Sequence, residues 1–183
     1  MALNQTPHTI EIADQQDAEF DADPLIAAIQ MIADDHEVGR AEISVAIVDD
    51  PTIRRLNQQY LQHDYETDVI SFVLDWDETA RALLGQLIVS TDTAATLAQD
   101  VGSTMQEELL LYVIHGMLHL VGYDDKQPAA ANEMRAAEKE YLGRFNIQHR
   151  GFDSGAVEAT GAIQTTKPIK ATKSKSRTTE GQN

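Results

Sequence analysis

The sequence predicts an α+β fold with an α/β-like order of elements, in which about five helices pack on a small mixed sheet of four strands. Short segments that alternate between apolar and polar residues are interleaved with amphipathic helical segments. One helical segment in the second half is apolar on nearly every side, so we expect it to be buried in the middle of the domain. The 183 residues suffice for a core without disulfides.

The first half of the chain supplies the predicted strands and two helices that begin at aspartate–proline pairs. Asp23-Pro24 is expected to provide the N-cap and first-turn proline of one helix, and Asp50-Pro51 begins another that runs to about Leu61 with an aspartate cap. The apolar face of the first helix consists of Leu25, Ile26, Ile29 and Ile32. The four predicted strands are residues 8–13, 42–48, 67–74 and 83–89.

The second half is predicted to be helical. Thr104 and Glu107 have the spacing of a capping box, which marks the start of the apolar helix. Gly122 follows that helix and is expected to end it in a left-handed conformation. The three predicted helices of this half are residues 91–99, 109–121 and 128–145.

Charge and composition divide the chain into a domain at 1–150 and a basic tail at 151–183. The net charge is −16, yet the residues from 155 onward carry +3, which leaves −19 on the rest. The tail consists of Gly, Ala, Thr, Ser and Lys without periodicity, so we expect it to be disordered, because it cannot bury enough apolar surface. A weak tether to a polyanion is the alternative interpretation.

The chain is expected to be cytoplasmic and to have no membrane segment. No apolar run approaches the ~18 residues of a membrane helix, and the start MALNQTPHTIEI does not have the pattern of a signal peptide. The absence of cysteine excludes disulfides, cysteine metal sites and a thiol nucleophile.

Two histidines on the apolar helix predict a metal site at its end. His115 and His119 are four residues apart, so their imidazoles lie one turn apart on the same helix face. The turn at Gly122 could bring Asp124 or Asp125 back to the same point. Two imidazoles and a carboxylate form a known catalytic zinc set, and manganese, iron or nickel could also be accepted. Two core histidines satisfied by hydrogen bonds are the alternative, which is hard to reconcile with so apolar a helix.

The spacing H-x-x-x-H-x-x-G-x-x-D also overlays the motif of metzincin proteases. Those enzymes place a glutamate general base next to the first histidine, where this chain has Gly116. Without that group, a peptidase lacks the acceptor for the proton of the attacking water. The ligands therefore favour metal-assisted hydrolysis, whereas Gly116 argues against a zinc protease.

The segment HGMLHLVGYDD resembles the HGxLHLxGYDH signature of the YbeY family of rRNA maturation endoribonucleases. Two further blocks agree in order and distance, LNQQYLQHDYETDVISF at 56–72 and LLGQLIVS at 83–90, so the resemblance covers residues 8–147. It implies a four-stranded mixed sheet with one zinc ion in a cleft. It also implies cleavage of single-stranded RNA, in 16S rRNA 3′-end maturation and ribosome quality control.

The resemblance also implies roles for individual residues. His115 and His119 match the first two metal ligands, and Asp125 occupies the third position, where the family usually has histidine. That carboxylate should make bound water less acidic. Asp124 matches the aspartate of the motif and is the candidate catalytic residue, with two roles open: orienting a ligand or handling a proton. The candidate cleft-lining residues are Thr67, Asp68 and Ser71.

Two departures from the family pattern bear on catalysis. Leu61 stands where the family commonly has an arginine thought to face phosphate, and Arg54 and Arg55 lie about two helical turns away. Gly85-Gln86 stands where the family has Gly-Asp.

Three other functions are therefore open. The first is a non-catalytic, zinc-containing ribosome-assembly factor. It would bind the small ribosomal subunit through ribosomal proteins or an assembly GTPase, since an acidic surface suits basic partners. A metallopeptidase is less favoured, because of Gly116, and nothing in the chain suggests the cosubstrate site of an iron oxygenase.

Overall fold

The computed structural model describes residues 8–16, 18–149, 151–154 and 162–165. The strands are β1 (Thr9–Asp14), β2 (Arg40–Val48), β3 (Val69–Asp77), β4 (Ala82–Ser90) and β5 (Ala162–Thr165). The helices are α1 (Ala22–Asp35), α2 (Asp50–Leu61), α3 (Thr91–Val101), α4 (Met105–Leu120), α5 (Pro128–Arg144) and α6 (Gly151–Ser154). None of the described helices is long and apolar enough to cross a membrane.

The strands form one mixed sheet in the order β1-β2-β4-β3-β5. β1 is parallel to β2 and β2 is parallel to β4, whereas β3 and β4 form an antiparallel hairpin. All four predicted strands and all five predicted helices occur, and the predicted α+β class is confirmed.

Two short elements, α6 and β5, lie within the range predicted to be a disordered tail, and β5 pairs in parallel with β3. Residues 150, 155–161 and 166–183 lie outside the described residues. The domain boundary and the disorder of the tail therefore stay predictions.

The predicted cap of the first helix was wrong by two residues. Asp21, in an extended conformation, is the N-cap of α1, and its side chain accepts a hydrogen bond from the Asp23 backbone N–H at 3.0 Å. Asp23 and Pro24 lie in the first helical turn, where a proline leaves no hydrogen bond unmade.

Helix α4 is the centre of the core, as predicted. Every residue from Glu108 to Leu120 is buried, and the helix packs against α1, α3, α5 and the hairpin β3–β4. The capping box is present: Thr104 Oγ1 accepts from the Glu107 N–H at 3.2 Å, and Glu107 Oε2 accepts from the Thr104 N–H at 2.8 Å. A smaller apolar cluster lies between α2 and the sheet, with Ile53 of α2 against Ile70 and Ile88.

Two glycines let α4 approach the sheet closely. A Cβ at Gly116 would lie 2.9 Å from Leu87 Cδ2 and 3.0 Å from Ser71 Oγ, and a Cβ at Gly85 would lie 2.7 Å from Leu120 Cδ1. Gly116 therefore faces β3 and β4 at a close contact between the helix and the sheet. Any side chain at this position would push the helix away from the strands.

Replacing Gly116 by alanine should therefore lower stability relative to the same change at Gly143 of α5, where an added Cβ would meet nothing within 4 Å. Both substitutions gain helix propensity, up to about 1 kcal/mol. Only Gly116→Ala adds an overpacking penalty, about 1–3 kcal/mol. Urea unfolding of both variants measures the difference, and equal stabilities would show that the interface yields without cost.

Candidate metal centre

His115 and His119 place two ring nitrogens side by side at the buried face of α4. Their Nε2 atoms are 2.9 Å apart, and the residues are 2% and 3% exposed. Asp125 Oδ2 lies 3.9 Å from His115 Nε2 and 3.7 Å from His119 Nε2. Among the described residues, these three form the group of donors able to hold a metal ion.

The turn after α4 brings Asp125 to the histidines. Gly122 has φ 104°, a positive value that glycine adopts readily. The Gly122 N–H donates to the His119 carbonyl, and the Tyr123 N–H donates to the Leu118 carbonyl, both at 3.0 Å. This pair of bonds is a Schellman motif, which ends the helix and reverses the chain. The predicted helix end with glycine at positive φ is present.

A hydrogen bond behind each ring fixes its orientation. His115 Nδ1 lies 2.6 Å from Glu138 Oε1, and His119 Nδ1 lies 3.0 Å from the Tyr123 carbonyl oxygen. Because a carboxylate and a carbonyl accept hydrogen bonds, both Nδ1 atoms carry the proton. Both Nε2 lone pairs then point toward the space beside Asp125.

The charges of the site favour one positive charge between the rings. Burial opposes a charged His115 ring, but the hydrogen bond with Glu138 and the neighbouring carboxylates outweigh it and raise its pKa. Burial, together with the charge of His115, lowers the pKa of His119 to about 3. Burial raises the pKa of Asp125. The cluster therefore accommodates one positive charge and rejects a second.

A single divalent ion fits this donor set. Tetrahedral coordination at about 2.0–2.1 Å places neighbouring donor atoms roughly 3.3 Å apart. The three separations of 2.9, 3.7 and 3.9 Å bracket that value. Two imidazoles and one carboxylate leave a further position open, and zinc, manganese, iron and nickel all accept such ligands.

Glu138 is the site residue that the sequence did not reveal. It lies on α5, is 2% exposed, and forms with His115 the carboxylate–histidine pair that typically supports a metal ligand. A signal was present, because Glu138 falls at helical spacing among apolar residues of the buried face of α5. Those buried neighbours are Met134, Ala137, Tyr141 and Leu142.

Of the four remaining predicted site residues, three are buried and one is exposed. Thr67, Asp68 and Ser71 are all buried, and Asp68 is close enough for its charge to act on His115. Burial raises the pKa of Asp68. The Ser71 hydroxyl has no hydrogen-bond partner among the described residues. Asp124 is exposed, and its Oδ1 accepts from the Lys126 N–H at 3.2 Å.

Arg54, near the LNQQY block, is engaged by carboxylates and does not replace the missing family arginine. Leu61 packs its side chain against the apolar cluster between α2 and the sheet. Arg54 forms ion pairs with Asp64 at 2.8 Å and with Glu66 at 3.7 Å.

Comparisons with known proteins identify the family of the chain. The YbeY family model, described as endoribonuclease YbeY, matches residues 9–146. The chain is 40% identical over 135 residues to endoribonuclease YbeY of Salinibacter ruber, covering 70% of this chain and 86% of the relative. For endoribonuclease YbeY of Roseiflexus castenholzii the identity is 35% over 150 residues, covering 78% and 94%.

A solved structure shares the fold. The solution structure of TM1509 from Thermotoga maritima aligns with a TM-score of 0.52 at 25% identity, covering 75% of this chain and 92% of that chain.

Removing Glu138 should weaken metal binding without abolishing the fold. Glu138→Ala leaves the His115 Nδ1 proton without its acceptor, and such supporting contacts are typically worth about 10–100-fold in metal affinity. Glu140→Ala is the matched control, since Glu140 lies on the same helix but pairs at the surface with Arg144. Zinc affinity by chelator competition measures the difference, with circular dichroism as the test of folding. Equal affinities would rule out a supporting role.

Replacing Asp124 and replacing Asp125 should have different effects on zinc affinity. Asp125→Ala removes a carboxylate that lies within 4 Å of both Nε2 atoms, so we expect a loss of zinc affinity at least as large as for Glu138→Ala. Asp124→Ala removes an exposed turn residue and should leave zinc affinity within about threefold, the scale of a weak surface charge. The reverse order would make Asp124 the third ligand.

Proposed function

Because the chain belongs to the YbeY family of endoribonucleases, we propose that it is a zinc-dependent endoribonuclease specific for single-stranded RNA. Its role is 16S rRNA 3′-end maturation and ribosome quality control in the cytoplasm. The observation that carries the proposal is the convergence of two Nε2 lone pairs and one carboxylate oxygen, each ring being held from behind. When bound, zinc supplies Lewis acidity and makes water a better nucleophile at neutral pH.

The residues of the chain have separate tasks in this proposal. His115, His119 and Asp125 bind the ion, and Glu138 Oε1 and the Tyr123 carbonyl keep the imidazoles in the binding tautomer. Asp124, at the exposed edge of the turn, is proposed to accept or return a proton through its carboxylate. Ser71 of β3 is proposed to line the cleft together with Thr67 and Asp68, which lead into the strand.

The proposed partners are rRNA and the small ribosomal subunit, with ribosomal proteins and an assembly GTPase as further contacts. Residues 1–154 carry a net charge of −19, which favours contact with basic proteins and disfavours extended contact with phosphates. The proposed catalytic domain is 1–150, and the basic tail 151–183 adds a weak attraction to RNA.

One observation favours a second candidate, a non-catalytic zinc-containing assembly factor. The position of the family arginine is occupied by Leu61, packed against the core, and Arg54 is paired with Asp64 and Glu66. A cleft with fewer cations holds a scissile phosphate less firmly. A peptidase is less favoured, because a Cβ at Gly116 would point at the sheet.

His119→Ala should lose bound metal and RNA cleavage together. Its Nε2 is one of two imidazole donors, and two remaining ligands bind a divalent ion poorly. Elemental analysis and cleavage of a single-stranded RNA, with the same RNA as a duplex for comparison, measure both losses. His8→Ala is the control, since His8 lies beside β1, at the edge of the sheet away from β3.

The nuclease and the assembly factor predict different results when the metal-loaded wild type is incubated with single-stranded RNA. A metal-loaded wild type that cleaves the single strand supports the nuclease. A metal-loaded wild type that leaves RNA intact but binds small ribosomal subunits would contradict the nuclease and support the assembly factor.

A further inference from the structure

Hydrogen bonds tie the segment between α2 and β3 to the helix. Gln62 ends α2 in a left-handed conformation with φ 62°, and the His63 N–H donates to the Asn57 carbonyl at 3.4 Å. Asn57 is completely buried, and its Nδ2 donates to the Tyr65 carbonyl at 3.0 Å. The backbone of residues 62–66 is thus tied to α2 at two points.

The two carboxylates of this loop are partly neutralised by one arginine of α2. Arg54 of α2 contacts Asp64 and Glu66, so one guanidinium faces both acidic residues of the loop. Such exposed pairs add little stability. They do reduce the negative potential that the two carboxylates would otherwise present to an approaching nucleic acid.

Between these charges the loop presents a stacked aromatic pair. The His63 and Tyr65 rings have centroids 5.2 Å apart and an interplanar angle of 15°. Tyr65 is 48% exposed, although a large aromatic side chain gains free energy when it is buried. Two rings stacked on each other leave outer ring faces on which a third flat ring can stack. An exposed, preorganised ring pair is therefore a surface for a planar ligand.

The loop joins α2 to the strand β3, which packs against α4 beside the metal centre. It leads directly into Thr67 and Asp68, and the charge of Asp68 acts on His115. The following residues of β3 contact α4, since Val69 Cγ2 and Ser71 Oγ would both touch a Cβ at Gly116. Tyr65 is three residues before Asp68, so at most about 11 Å separates their Cα atoms, a distance that a short single-stranded oligonucleotide can span.

We propose that His63 and Tyr65 form a base-stacking platform that binds an unpaired base of single-stranded RNA next to the metal centre. This inference rests on the proposed endoribonuclease function. With a net charge of −16, the protein gains little from phosphate contacts, whereas stacking on an aromatic ring requires no positive charge. A stacked base must be unpaired, so the platform selects single strands over duplexes.

Stacking tolerates any base, since each has a π-face, so the platform does not read sequence. The site therefore discriminates by strand state, and Tyr65 is a specificity-determining residue.

The experiment compares Tyr65→Leu, which removes the ring, with Tyr65→Phe, which keeps it. Binding of the metal-loaded full chain to a non-hydrolysable analogue of an eight-nucleotide single-stranded RNA is measured by fluorescence anisotropy, so that binding is observed without cleavage. Tyr65→Leu should weaken binding about tenfold, the scale of one lost base–aromatic stack. Tyr65→Phe should bind like the wild type. Leu84→Ala, an exposed apolar residue on β4, controls for loss of surface area.

Two further measurements test the stacking proposal: the salt dependence of single-strand binding and the affinity for a duplex. Stacking releases no counterions, so the slope of log K against log salt should be the same for wild type and Tyr65→Leu. Affinity for the duplex of the same sequence should not change in Tyr65→Leu.

Equal binding of the single strand by wild type and Tyr65→Leu would overturn the proposal, as would a wild type that binds no single-stranded RNA. It would also be overturned if Tyr65→Leu weakened binding of a basic peptide and left RNA binding unchanged, because the pair would then be a protein contact.

Cleavage by the metal-loaded wild type is scored separately. If the wild type cleaves RNA and Tyr65→Leu binds RNA equally well, the nuclease proposal is supported and the stacking proposal is contradicted. Stacking-dependent binding without cleavage supports the platform and contradicts the nuclease.

Discussion

Two imidazole nitrogens held 2.9 Å apart inside the protein are the constraint on which the rest of the site depends. Two lone pairs so close repel each other unless a positive charge lies between or beside them. Every surrounding feature supports that arrangement: Glu138 and the Tyr123 carbonyl keep both protons on the far nitrogens, and Asp125 adds a negative charge. The turn at Gly122 makes two of these contacts possible, because it positions both the Tyr123 carbonyl and the Asp125 carboxylate.

The close packing of α4 on the sheet also determines which groups surround the metal centre. Gly116 and Gly85 allow the helix to lie so close to the hairpin β3–β4 that a Cβ at either position would meet a neighbouring side chain. This proximity brings the metal centre next to Asp68 at the start of β3. It also excludes a glutamate from position 116, where a metzincin carries its general base. One residue thus sets the contact between helix and sheet and separates this site from a peptidase.

An acidic protein that acts on RNA needs contacts other than salt bridges to phosphate. Arg54 is engaged by Asp64 and Glu66, and Leu61 packs, partly buried, against the apolar cluster between α2 and the sheet. In our proposals the positive charge comes from the metal ion and the remaining affinity from stacking on His63 and Tyr65. Both contributions act at short range, which favours flexible single strands able to bring a base and a phosphate to the site together.

The sequence by itself determined the features that depend on near neighbours in the chain. The capping box at Thr104, the buried α4, the histidine pair and the turn at Gly122 all follow from spacings of four residues or fewer. The cap of α1 was placed at Asp23 instead of Asp21, because aspartates two residues apart give the same local signal. Only the tertiary structure decided that Glu138 supports His115, 23 residues away, and that β3 lies beside the metal centre. The physical reason is that burial of a carboxylate against an imidazole depends on how whole helices pack, which no short spacing encodes.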